Sequence, residues 1–201
     1  MDGEQLKRWR KNERERLVRE RLALDPDTVQ ALRRRIDAHL GRVFPQLANM
    51  RVGLCWPIRN EYDARHLMRT LRERGALTAL PVVIAPAKPL SFREWHPGVR
   101  MQVGALEIAY PVDSPQVLPE AMLVPMNGWD GAGYRLGYGA GFFDRTLASL
   151  SPRPLAIGVG YEMAHIETIH PQPWDMPLDW VVTERGTYRR LGERMEFQGE
   201  A

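Results

Sequence analysis

Apolar positions along this chain follow two rhythms, and each predicts a different element. Val29, Leu32, Ile36, Leu40 and Val43 recur at helical spacing, which predicts a helix from Asp27 to Phe44 that Pro45 closes. Short apolar runs of strand length stand elsewhere: 51–56, 77–84, 121–125 and 155–160. A final strand is expected within 174–184, where Trp180, Val181 and Val182 follow Asp179. Between the first two runs, Glu61 opens a predicted helix to Arg74, capped by Gly75. A strand–helix–strand unit of this kind implies a right-handed crossover and a parallel sheet. The stretch 85–119 is irregular and rich in Pro, and the tail from Arg185 is charged and expected to fray.

The first helix, Glu4 to Leu22, departs from this pattern because it is crowded with charge. Lys7, Arg8, Arg10, Lys11, Arg14, Arg16, Arg19 and Arg21 alternate with Glu4, Glu13, Glu15 and Glu20. The interleaving reads as a solvated face of i,i+4 pairs. Asp25 follows as the N-cap of the second helix.

Length and composition narrow the classes. A chain of 201 residues with 44% hydrophobic and 26% charged residues suits a single globular domain, 1–201. No apolar run approaches the ~20 residues of a membrane span, and the charged N-terminus lacks the apolar centre of a signal peptide. The single cysteine, Cys55, excludes an internal disulfide and fits a reducing cytosol. A net charge of +3 fits anionic small molecules better than a nucleic-acid surface.

The chemistry concentrates in 133–144. Gly137, Gly139 and Gly141 alternate after the 121–125 run and before a short helical stretch from Arg145 to Leu150. Such a backbone can turn its N–H groups toward an anion at a helix N-terminus, or it can simply be a tight turn. Arg135 could clamp phosphate oxygens, and Asp144 offers a hard oxygen ligand of the kind Mg2+ prefers. The spacing is neither a P-loop nor a dinucleotide fingerprint. His96, His165 and His170 have no ligand company, and no Ser–His–Asp or Cys–His nucleophile is visible.

Arg135-Leu136-Gly137-Tyr138-Gly139-Ala140-Gly141-Phe142-Phe143-Asp144 resembles the nucleotide loop R-L-G-x-G-x-G-[YF]-[YF]-D of the 5-formyltetrahydrofolate cyclo-ligases. Trp56-Pro57-Ile58-Arg59-Asn60-Glu61-Tyr62-Asp63 is similar to that family's folate-holding segment, and 174–184 to its D-x-x-[LV]-D-x-[VI] segment. The resemblance implies a three-layer, Rossmann-like α/β domain with a mostly parallel sheet, of the sugar-phosphate isomerase and CoA-transferase type, preceded by helices. It implies ATP-dependent closure of 5-formyltetrahydrofolate to 5,10-methenyltetrahydrofolate with Mg2+. ATP would meet Arg10, Lys11 and Arg14 of the first helix, Arg135, Leu136, Gly137, Tyr138, Gly139, Ala140, Gly141, Phe142 and Phe143. The folate would meet Trp56 and Glu61, with Tyr138, Gly139, Ala140, Gly141 and Phe142 lining its site. Asp144 and Asp175 would hold the metal. Ala140 stands where many members have Lys or Gly, which shifts reliance to Arg135 and the first helix. The expected setting is a cytoplasmic monomer or weak dimer, without nucleic-acid or membrane partners. The alternatives are a paralogue on the same fold with another substrate, or a non-catalytic protein whose basic helix contacts RNA.

Overall fold

A computed structural model describes residues 1–104 and 108–199. Helix α1 runs Gly3–Leu22 and α2 runs Pro26–Val43. Asp2 caps α1 reciprocally with Gln5, and Asp25 caps α2 ahead of Pro26, so both starts satisfy otherwise orphaned amides. Strand β1 (Arg51–Gly53) leads through a long turn into α3 (Arg65–Glu73) and then β2 (Leu77–Val82). The central excursion supplies β3 (Ser91–Glu94), β4 (Met101–Val103) and β5 (Ala109–Pro111); residues 105–107 within it lie outside the described residues. There follow β6 (Ala121–Pro125), β7 (Gly128–Asp130), β8 (Arg135–Leu136), α4 (Phe142–Ser149) and β9 (Leu155–Val159). The chain ends through β10 (His165–Ile166), β11 (Trp180–Val182), β12 (Thr187–Leu191) and β13 (Arg194–Gly199).

The main sheet has the order β13-β12-β11-β9-β6-β1-β2-β3. Its five central strands are parallel, and β3, β12 and β13 add antiparallel edges. This is the mostly parallel α/β domain expected, and alternation along the strands explains its three layers. In β6, Ala121 and Leu123 face a core shared with Ile36, Leu40 and Met68 of α2 and α3. Met122 and Val124 face the opposite core with Leu17 of α1 and Leu147 of α4. A strand buried on both faces must be apolar throughout, which is why these runs show no polar alternation.

Three expectations are corrected. Strand β1 stops at Gly53, and Glu61 lies in a turn before α3, not on its first turn. The strand at 180–182 is not the last, because 187–199 forms the β12–β13 hairpin instead of fraying; residues 200–201 lie outside the described residues. The hairpin is held because Tyr188 is buried against Trp129, ring centroids 4.9 Å apart, and donates to Glu162 at 2.8 Å. Polar strand residues can therefore look like a tail when only a few of them, here Thr187, Tyr188 and Met195, carry the anchor. Tyr188→Ala is expected to cost roughly 3 kcal/mol through the cavity it leaves. A urea midpoint unchanged from wild type would show the hairpin to be dispensable.

Candidate functional site

Counting only the parallel strands, the order is 2-1-3-4-5, so the direction of winding reverses between β1 and β6. Open α/β sheets leave a crevice at the carboxyl ends of the strands at such a switch. A cleft of ≈ 340 Å³ lies there. Its walls come from the turn after β1 (Cys55, Trp56, Ile58, Glu61), the end of β2 (Pro81, Val82, Val83) and the glycine loop after β6, with α1 closing one side. The size suits a drug-sized ligand.

At the first end of the cleft, Glu61 is 6% exposed. Its Oε2 accepts from the Ile58 amide at 3.1 Å and its Oε1 from the Tyr138 hydroxyl at 2.8 Å. Burial raises its pKa, opposed chiefly by the nearby Arg21 charge. Trp56 lines the same wall, with the Arg65 guanidinium 5.2 Å from its ring centroid. Cys55 also lines it, and burial pushes its thiol pKa well up, so it is an apolar wall rather than a nucleophile.

The glycine loop forms a further wall. Gly139 has φ +98° and Gly141 φ +64°, left-handed conformations that a side chain strains, and Gly141 caps α4. Tight packing adds a second reason. A Cβ on Gly139 would lie 3.3 Å from the Arg14 guanidinium carbon, and one on Gly141 2.9 Å from Arg145 Nη1. Among the described residues, the amides of Gly137, Tyr138, Gly139, Ala140 and Gly141 make no backbone or side-chain hydrogen bond as donors. They stand at the N-terminus of α4 as an anion cradle would.

At the second end, Arg10 donates from Nη2 to Asp175 Oδ2 at 2.6 Å and to the His170 carbonyl at 2.9 Å. Arg14 donates from Nε to the Gly137 carbonyl at 2.8 Å. Both arginines line the cleft together with Leu136, Gly137, Tyr138, Gly139, Ala140, Gly141, Phe142, Phe143, Asp144 and Asp175. Burial lowers the Arg14 pKa, with the neighbouring Arg10 charge adding to it.

Of the expected contacts, Lys11 falls outside the cleft, whereas Arg135 lines it but is buried and paired. Lys11 points away from the cleft, its side chain 72% exposed and paired with Glu15 at 3.9 Å, because it lies one residue off the docking stripe of α1. Arg135 is not a surface clamp. Its side chain is 3% exposed beneath the loop, with Nη2 3.1 Å from Asp144 Oδ1 and Nη1 donating to the Met176 carbonyl at 2.9 Å. It holds Asp144 in place rather than reaching outward.

The sequence reading passed over Arg21, which is 5% exposed and joins α1 to the cleft. A signal existed: Arg10, Arg14, Leu17 and Arg21 recur at steps of four, three and four on one face of α1. That face is half-buried to buried although mostly cationic, so apolar periodicity does not reveal it. Trp174 also lines the cleft and is 68% exposed, and no periodic pattern in the sequence marks it. The outer charges of α1 do pair locally, Glu13 and Glu20 with Arg16 and Glu4 with Lys7.

No helix among the described residues is long and apolar enough to cross a membrane. Residues 6–184 match the 5-formyltetrahydrofolate cyclo-ligase family. The chain is 29% identical to the 5-formyltetrahydrofolate cyclo-ligase of Escherichia coli K12, over 81% of this chain and 93% of that one. It is 33% identical to the protein of that name from Mycolicibacterium smegmatis, over 64% of this chain and 71% of the relative. The solved structure of Aquifex aeolicus 5,10-methenyltetrahydrofolate synthetase superposes with a TM-score of 0.79 at 27% identity, covering 94% of this chain and 97% of that one.

Proposed function

The chain belongs to the 5-formyltetrahydrofolate cyclo-ligase family, and from that premise we propose that it closes 5-formyltetrahydrofolate to 5,10-methenyltetrahydrofolate at the expense of ATP. One observation supports this above the others: a single cleft has an aromatic and a buried carboxylate at one end, and a glycine cradle flanked by arginines at the other. A flat heterocycle and a polyphosphate could lie in it end to end.

The formyl oxygen is a poor leaving group. Transfer of the γ-phosphoryl group onto it forms one O–P bond, breaks another and releases ADP. N10 then attacks the formyl carbon and loses its proton, and the carbon–oxygen bond breaks to release phosphate. Nothing here needs a covalent nucleophile from the protein; positioning and charge neutralisation suffice. Trp56 would stack on the pterin. Glu61, already accepting two hydrogen bonds, retains lone pairs for the pterin's N–H donors. Arg10, Arg14 and the amides of residues 137–141 would face the phosphates, and the remaining loop and cleft residues, Leu136, Phe142 and Phe143, would exclude water. Arg135 serves by fixing Asp144.

For the metal, no group of three or more His, Cys, Asp or Glu side chains stands together among the described residues. Asp144 and Asp175 alone could not cage an ion. Asp144 fits Mg2+, which typically takes one or two carboxylates and completes its shell with substrate phosphates and water, whereas Asp175, with both oxygens on Arg10, would join it only by giving up part of that pair. Asp144 turns only Oδ1 to Arg135 and to the Met176 amide, so its other oxygen could be a ligand. When bound, the ion would neutralise charge on the transferring phosphoryl group.

The test is an assay with 5-formyltetrahydrofolate, ATP and Mg2+ that follows the ultraviolet band of the methenyl product and phosphate release together. Both rising, only with ATP, is expected. Phosphate without the band would replace the folate by another acceptor. The same assay carries a pH prediction. The Glu61 pKa is raised, so its accepting, ionised form is lost on acidification earlier than for an ordinary glutamate near 4.3. The acid limb of kcat/KM for the folate is expected above that value, and a limb at or below it would detach Glu61 from binding.

A further inference from the structure

Arg21 donates four side-chain hydrogen bonds, and its partners gather around Glu61 and the glycine loop. Its Nε donates to the Arg59 carbonyl at 2.8 Å. Nη1 donates to Asn127 Oδ1 at 3.0 Å and to the Met126 carbonyl at 3.4 Å. Nη2 donates to the Tyr138 hydroxyl oxygen at 3.1 Å. One side chain of α1 thus reaches the turn after β1, the turn after β6 and the glycine loop.

The direction of these bonds matters. A guanidinium has donors only, so in its contact with Tyr138 the phenolic oxygen must accept. The one hydroxyl proton of Tyr138 is then left for Glu61 Oε1, 2.8 Å away. Were Glu61 protonated on Oε1, that proton and the Tyr138 proton would compete for the same contact. With the Arg21–Tyr138–Glu61 chain intact, Oε1 is closed to a proton, which Glu61 could then take up only on Oε2, beside the Ile58 amide.

Resting on the folate reading above, we propose that Arg21 is a positioning residue: it orients the Tyr138 hydroxyl toward Glu61 and so keeps that carboxylate a pure acceptor for the substrate's N–H groups. The other groups around Glu61 do not supply this. Arg59, on its own turn, is a further cation acting on Glu61, and its ring contact is with Tyr138 at 5.6 Å. Tyr62 and Asp63, next in sequence, are tied to Asp37 and Arg65. Cys55 and Tyr161 are uncharged, since burial raises both, Tyr161 to about 12. Arg21 and Tyr138 alone link Glu61 to α1, the helix that also carries Arg10 and Arg14 into the other end of the cleft.

The experiment is an infrared pH titration of the protonated-carboxyl band in the substrate-free protein, assigned by its loss in Glu61→Gln. Arg21→Met is expected to move the midpoint up by about one pH unit, equivalent to tenfold in proton affinity. Tyr138→Phe should move it the same way by less, and Arg21→Lys should restore most of it. The acid limb of kcat/KM for 5-formyltetrahydrofolate should follow the same order, with the KM for ATP within about twofold of wild type. A folded Arg21→Met with an unmoved midpoint would overturn the proposal. If Arg21→Met does not fold, Tyr138→Phe and Arg21→Lys decide: a midpoint unmoved in Tyr138→Phe overturns it. A midpoint that moves in a protein that does not turn over the folate keeps the Arg21 linkage and removes the folate reading. Turnover with a fixed midpoint does the reverse.

Discussion

Replacing Asp144 with asparagine is expected to reduce turnover by about 10²–10³-fold or more, because charge on the transferring phosphoryl group would lose its carboxylate-held counter-charge. The same change has a structural cost. Asp144 is the charged partner of Arg135, whose side chain is 3% exposed, and breaking a buried pair on one side typically costs roughly 3–5 kcal/mol. Stability and activity must therefore be separated. Asparagine keeps an oxygen for the Met176 amide but removes the charge that Arg135 faces. The double variant Asp144→Asn with Arg135→Met removes both charges and should regain much of the stability without regaining turnover. Denaturant unfolding and phosphate release on the two variants check this. Turnover recovered along with stability would show Asp144 to be a strut for the loop and not a ligand.

The second large effect is expected at Arg14. Arg14→Ala should lower kcat/KM for ATP by about 10²–10³-fold, the order associated with a cation on a transferring phosphoryl group. Its structural cost is small by comparison, since it surrenders one hydrogen bond to the Gly137 carbonyl, about 1 kcal/mol. Folate binding, measured by quenching of tryptophan fluorescence, should change little because Arg14 bonds the Gly137 carbonyl while Glu61 is held by the Ile58 amide and the Tyr138 hydroxyl. Arg14→Lys should restore only part of the rate, as an ammonium keeps the charge without the planar fork. Loss of folate binding in parallel with ATP would instead make Arg14 a general support of the loop. Lys11→Ala, one residue from the stripe of α1, serves as the matched control because its ammonium faces solvent and Glu15.

Much of this protein is legible without coordinates, and for identifiable reasons. The central strands announce themselves because each is buried on both faces: 121–125 and 155–159 admit almost nothing polar. Helix α2 is legible from its single apolar stripe and from Asp25 and Pro26 at its start. The glycine loop is legible because positive φ at 139 and 141 and close approach of arginine side chains leave glycine the unstrained choice. The pairing of Trp56 and Glu61 with that loop is carried in the sequence by the family resemblance alone; its physical reason, the parallel order that brings the ends of β1 and β6 together, belongs to the tertiary structure.

What the sequence could not decide was which charged side chains turn inward. Arg10, Arg14 and Arg21 reach the cleft or its walls while Lys11 faces solvent, and Arg135 lies beneath the loop rather than on it. The β12–β13 hairpin reads as a polar tail until Tyr188 is seen against Trp129. Local patterns record the burial of apolar groups, because that is paid by water along the whole length of an element. The burial of a guanidinium depends on acceptors such as Asp144, Tyr138 and the Gly137 carbonyl, which lie more than 100 residues away from α1 or on another element. Only the folded chain brings them within reach.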